Sequence, residues 1–189
     1  MLKTHKIGLF FFIGFLSCRA TGFEISDIPV QDIKGERVYL DEFENYPATV
    51  ITFLSPECPV SENYTQTINE ISTAYRDIRF INIFPGKYYS IDKINGFIND
   101  YHLGQINFLD ADLFLSIYLK ATVTPETFVL GRDGKIKYSG AIDNWAVDLG
   151  SKRQVITEFY LKDALEAVIN EMPVAKNKTK AVGCFIEKQ

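Results

Sequence analysis

Residues 49–54, Thr-Val-Ile-Thr-Phe-Leu, run six positions without a charge or a polar alternation. A short uninterrupted run rich in β-branched and aromatic residues is the pattern of a strand covered on both faces, which a layered α/β arrangement provides. Val60, Tyr64, Ile68, Ile71 and Tyr75 follow at helical spacing, so a helix succeeds that strand directly. The next buried strand is Arg-Phe-Ile-Asn-Ile-Phe at 79–84, ended by Pro85-Gly86, and Ile91, Ile94, Phe97, Ile98 and Tyr101 mark a second helix. Strand, helix, strand implies a right-handed parallel crossover. Leu113 to Leu119 reads as a short helix. The period then changes: Glu126–Gly131 and Lys135–Gly140 flank Arg132-Asp133-Gly134, the signature of an antiparallel hairpin. Leu161, Leu165, Val168 and Met172 line one side of a last helix, which Pro173 stops. The class expected is α/β, a mixed sheet with helices on both faces.

At 189 residues the chain has room for one domain. Apolar residues at 47% and charged residues at 23% exclude disorder and fibrous repeats. Lys plus Arg number 20 against 24 Asp plus Glu, which leaves no basic excess for a phosphate backbone and argues against nucleic acid as a partner. Residues 1–17 place Lys3 and Lys6 before an apolar stretch, Ile7 to Leu16, too short for a lasting membrane span. An export signal is expected. Phe15-Leu16-Ser17-Cys18 resembles a loose bacterial lipoprotein cleavage box, whereas Cys18-Arg19-Ala20 equally closes an ordinary signal. The first version makes Cys18 a lipidated first residue that anchors a periplasmic protein to the membrane; the second discards it or leaves it inert. The expected organisation is a signal at 1–17, a domain at 24–172 and a tail at 173–189.

Export moves Cys58 and Cys184 into a compartment where disulfides form and persist. Two thiols allow one intramolecular pair. A structural staple is one use of it, but a domain of about 170 residues has enough core to do without, which favours a chemical role. Cys58 stands where the first buried strand hands over to its helix, and Pro59 fits a first turn that has no use for its missing amide hydrogen. A cysteine there faces unsatisfied backbone donors and the positive end of the helix dipole, both of which favour thiolate over thiol.

With Cys58-Pro59 at a strand-to-helix corner and Thr124-Pro125 just before Thr-Phe-Val-Leu, the chain resembles the thioredoxin superfamily over roughly residues 24–172. The branch it is most similar to is the redoxins, which include thiol-disulfide oxidoreductases and peroxiredoxin-like proteins. The resemblance implies a three-layer sandwich with no cofactor and no metal, in which Pro125 is a cis-proline facing Cys58. It further implies that the Cys58 thiolate attacks a protein disulfide through a mixed disulfide, resolved by Cys184 or by an external thiol reductant. The sequence departs from the two-cysteine pattern, because Cys58-Pro59-Val60-Ser61 puts a serine where the second thiol belongs. Ser61 either donates to a thiolate or is a solvated first-turn residue.

Peroxide reduction through a Cys58 sulfenic acid is a second reading. Of the residues that orient peroxide in peroxiredoxins, only Ser55 is a plausible substitute; Ile51 and Pro125 occupy the places of the proline and arginine. A third reading keeps the fold without catalysis and uses the groove around Pro125 to bind a protein or a metal. Cys184, beside Gly183, lies eleven residues past Pro173, an extended reach of about 36 Å. It is therefore either the redox partner of Cys58 or a separate tail thiol.

His5 and His102 are the only histidines, too few for a zinc cluster or a catalytic triad. A copper-carrier site from Cys58, Cys184 and His102 lacks the paired motif. His102 reads as a helix-terminal residue, Trp145 as packing, and Asp143 and Asn144 as turn formers.

Overall fold

The structure, a computed structural model, describes residues 23–187. The leader, His5 and Cys18 lie outside the described residues. In chain order the elements are β1 (Pro29–Asp32), β2 (Arg37–Tyr39), β3 (Ala48–Phe53), α1 (Pro59–Ala74), β4 (Arg79–Pro85), α2 (Ile91–Asp100), β5 (Ile106–Asp110) and α3 (Phe114–Leu119). There follow β6 (Val123–Thr124), β7 (Glu126–Gly131), β8 (Ile136–Gly140), β9 (Ala146–Asp148), β10 (Ser151–Lys152), α4 (Tyr160–Ile169) and β11 (Cys184–Phe185).

Seven strands form one mixed sheet in the order β2-β1-β5-β4-β3-β7-β8. β3, β4 and β5 run parallel, and β7 pairs antiparallel with β3, as the crossover and hairpin patterns require. All six residues of β3 are buried, which matches its uncharged run and its central place. Alternation then sorts side chains by face. Val50, Phe80, Phe84 and Val129 meet Ile68 of α1, Phe97 of α2 and Leu165 of α4 on one side. Ile51, Phe53, Ile81, Ile83, Phe128 and Leu130 meet Leu115 and Leu119 of α3 on the other, together with Ile28, Leu40 and Phe43. The three layers follow from that division. Among the described residues no helix is long and apolar enough to cross a membrane.

Three features differ from the sequence expectation. β1, β2 and β5 extend the sheet beyond the elements that periodicity marks; β5 is half polar and joins through an amide ladder in which Asn82 Nδ2 donates to Asn107 Oδ1 at 3.0 Å. α4 ends at Ile169 rather than at Met172: Glu171 is left-handed at φ 55, and the Met172 N–H turns back to the Ala167 carbonyl at 2.8 Å. This return closes the helix before Pro173 is reached.

The third feature is the tail, which folds back along the molecule. Ser139 N–H donates to Asn177 O and Thr179 N–H to Ser139 O, both at 3.0 Å. Thr179 Oγ1 also accepts the Ala141 N–H at 2.9 Å and lies 2.6 Å from the Tyr138 hydroxyl. Gly140, at φ 139, lets the tail approach this closely, since a Cβ there would fall 2.3 Å from Thr179 O. Beyond this clamp β11 pairs antiparallel with β6, and the Ile186 N–H reaches Thr122 O at 2.9 Å.

Candidate functional site

Cys58 is the N-cap of α1, with extended backbone (φ −95, ψ 111) and Pro59 in the first turn. Its carbonyl takes the Glu62 N–H at 3.0 Å, so the cysteine is locked to the helix start. The preceding loop is cross-braced. Ser55 N–H donates to Ser61 Oγ at 3.3 Å, Ser55 O accepts the Cys58 N–H at 3.2 Å, and Ser55 Oγ pairs with the Tyr89 hydroxyl at 2.8 Å. These bonds hold the corner to one geometry.

Opposite the sulfur lies the cis peptide bond between Thr124 and Pro125. When protonated, Cys58 Sγ donates to Thr124 O at 2.9 Å. Thr124 is also the register partner of Cys184 across the β6–β11 pair, and this pairing carries the tail cysteine onto Cys58. Gly183 is the residue that makes it possible. A Cβ there would lie 2.0 Å from Thr124 O, so no larger residue fits without moving the tail strand.

The two thiols differ in electrostatic setting. Burial pushes Cys58 up, but it is outweighed by donors aimed at its sulfur: the Cys184 thiol, the Ser61 N–H, the Cys184 N–H and the Ser61 hydroxyl. The net effect holds Cys58 below the ordinary thiol range, although Thr124 O, as acceptor, favours the protonated form. Cys184 is pushed up to about 12 by burial, by its hydrogen bond to Cys58 and by the charge that Cys58 carries when ionised. The pair therefore holds one proton preferentially on Cys184. Both cysteines are free.

Cys58 has no exposed surface, whereas Cys184 is half-buried and opens on a groove of about 320 Å³. Ser55, Glu57, Pro85, Tyr88, Tyr89 and Phe185 line that groove with it. Phe185, the second and last residue of β11, is 80% exposed, while Ile186 turns inward to the core.

The structure brings the expected Cys58, Cys184, Ser55, Pro59, Ser61, Thr124 and Pro125 to one locus. It separates the two readings of Ser61, which is fully buried and supplies both an N–H and a hydroxyl to the sulfur rather than facing solvent. Ser55 Oγ, the hydroxyl suited to orient a peroxide, instead bonds Tyr89 and accepts the Glu57 N–H at 3.3 Å. Sequence reasoning missed Tyr89. An aromatic pair, Tyr88-Tyr89, just after the Pro85-Gly86 strand end was the available signal. It also undervalued Asp143, which is buried and accepts from the Tyr64 hydroxyl at 2.6 Å and the Trp145 N–H at 2.8 Å, tying α1 to the segment after β8. Asn144 is likewise more than a turn former, bonding Thr157 and Glu158. Among the described residues no three His, Cys, Asp or Glu side chains converge as a metal site.

No family model matches the chain, and no curated protein does either. Solved structures do. A hypothetical protein from Sinorhizobium meliloti 1021 aligns at TM-score 0.77 and 20% identity, over 89% of this chain and 94% of its own. An uncharacterized conserved protein from Geobacillus kaustophilus aligns at 0.74 and 21%, over 89% and 92%. A secreted Mycobacterium tuberculosis disulfide oxidoreductase homologous to E. coli DsbE aligns at 0.52 and 16%, over 77% and 96%. The chain has a thioredoxin-like fold. Within that thioredoxin-like frame, the cysteine at the start of α1 faces the cis-proline loop, and the thiol beside it comes from the far end of the chain instead of from the same helix turn.

Proposed function

We propose that the protein is an exported thiol-disulfide oxidoreductase whose redox pair is Cys58 and Cys184. The single observation that carries this reading is the seating of Cys184 against the Cys58 sulfur by the β6–β11 pairing. A thiol that titrates low beside one that titrates high is a nucleophile with its resolving partner.

The tail strand is only two residues long, and when it lifts from β6 the Cys58 sulfur is uncovered. Cys58 thiolate attacks one sulfur of a substrate protein disulfide; a new S–S bond forms to Cys58, and the other substrate sulfur leaves as thiolate and takes a proton. As the tail returns, Cys184 gives up its proton and attacks Cys58 Sγ, and the second substrate sulfur departs. The substrate gains two electrons and two protons, and the protein is left with a Cys58–Cys184 disulfide. An external thiol reductant then restores the dithiol. Export by the leader at 1–17 and lipid attachment at Cys18 would set this chemistry at the outer side of a membrane, where substrate disulfides persist.

The test is mass spectrometry of the mature protein with and without oxidant. The expected result is loss of two hydrogens and a cross-linked peptide pair containing Cys58 and Cys184, reversed by reductant. A protein that stays a dithiol after incubation with a disulfide substrate would overturn the reading. For the anchor, palmitate incorporation should vanish in Cys18→Ala.

A further inference from the structure

The proposed cycle ends on a Cys58–Cys184 disulfide, and we infer that the external thiol that reopens it attacks the sulfur of Cys184. Substrate and reductant are then handled by different cysteines. The inference rests on the redox reading above, and it turns on which of the two sulfurs an incoming molecule reaches while the tail is docked.

Displacement at a disulfide sulfur proceeds in line with the bond that breaks. While the tail is docked Cys58 has no exposed surface, and its sulfur is held by the Thr124 carbonyl and the Ser61 donors, so an incoming nucleophile has no path to it. To strike Cys184, it arrives from the side away from Cys58, and Cys184 lines the groove of about 320 Å³ between Tyr88, Tyr89 and Phe185. That groove admits a small thiol or a cysteine side chain carried on a loop. The sulfur expelled is then Cys58, which departs into the donors of Ser61. A departing thiolate that is already stabilised leaves faster.

An external thiolate forms an S–S bond to Cys184 while the Cys184–Cys58 bond breaks, and Cys58 keeps the electron pair as thiolate. A second external thiolate attacks the outer sulfur of the adduct and Cys184 leaves, taking a proton. Two external thiols become one disulfide and the protein disulfide becomes a dithiol.

The experiment uses oxidised wild-type protein and 2-mercaptoethanol, with acid quench at the earliest times, alkylation of free thiols and peptide mass spectrometry. The expected intermediate carries mercaptoethanol on Cys184 and an alkyl group on Cys58, in at least about tenfold excess over the reverse isomer. Adduct mainly on Cys58, or an equal mixture, overturns the inference and leaves the redox reading standing. Oxidised protein that contains no Cys58–Cys184 disulfide overturns the redox reading, and the inference falls with it.

Discussion

Cys58 and Cys184 meet at one point of the molecule, but the corner that holds the first and the tail that holds the second are built in contrasting ways. The corner stands between a fully buried strand and a 16-residue helix, with Cys58 as the helix cap. Its position is a consequence of the core. The tail reaches the same point through a two-residue strand, one glycine that clears the Thr124 carbonyl, one inward isoleucine and the Thr179 clamp. The contrast sets a cysteine fixed by the core against one brought in by a two-residue strand. On the redox reading proposed above, a tail held by so few backbone pairs opens locally at low free energy and uncovers the Cys58 sulfur without unfolding the sheet.

The largest effect is expected at the corner itself. In Cys58→Ser, reduction of insulin disulfides, read by turbidity, should fall to the uncatalysed background, because the nucleophile is gone. Cys184→Ala should lose multiple turnover but keep a single attack, leaving a mixed disulfide on Cys58 that survives non-reducing electrophoresis. If Cys184→Ala turns over as fast as the wild type, resolution belongs to the external thiol and the tail is a cover only.

The next effect sharpens the tail's side of the contrast. Gly183→Ala places a methyl group against Thr124 O and should lift the tail strand from β6. Maleimide labelling of Cys58 in the reduced protein should then rise by about tenfold or more, the factor that about 1.4 kcal/mol of lost docking energy represents. Unchanged labelling would mean that the glycine is not what seats the tail.

A smaller effect is electrostatic. The thiolate absorbance near 240 nm should titrate in two steps, one below the ordinary thiol range and one near pH 12. In Cys184→Ala the first step should move upward, since a donor to the Cys58 thiolate is lost while burial remains. The linkage signs are opposite. Cys58, lowered in the folded state, contributes stability above the ordinary thiol range that is lost as pH falls through its folded pKa; Cys184, raised, contributes below the ordinary range and loses it as pH climbs toward about 12. Chemical denaturation of both single variants across this range checks the two slopes. The smallest effect is expected from Thr179→Ala, which leaves the Ala141 N–H without its partner and should cost about 1–2 kcal/mol of stability, while the backbone bonds between Ser139 and the tail, which alanine keeps, still seat Cys184 and leave the redox chemistry intact.

Much of the architecture was legible because burial writes periodicity into a chain. The uncharged 49–54 run, the helical spacing from Val60 and the Arg132-Asp133-Gly134 turn each lead to the observed element. β5 and the β1–β2 hairpin were not legible. Their strands are short and partly polar, and they belong to the sheet through pairing with distant neighbours, such as Gln31 with Leu109 and Asn82 with Asn107. The end of α4 was misjudged because Met172 fits the apolar stripe, while a left-handed Glu171 had already turned the backbone away. At the site, Ser61 could be read as donor or as surface residue until packing buried it.

What the amino-acid order determined by itself is the corner: an uncharged run, then Cys58-Pro59, then a helical stripe, all settled by neighbours a few residues apart. What only the tertiary structure decided is the company Cys58 keeps. Cys184 lies 126 positions further along, and its arrival depends on pairing with Thr124, on space beside Gly183 and on the anchor at Ser139 and Thr179. Those contacts join residues far apart in the chain, so no local pattern encodes them; they exist once the fold has set β8 and β6 where the tail can reach both.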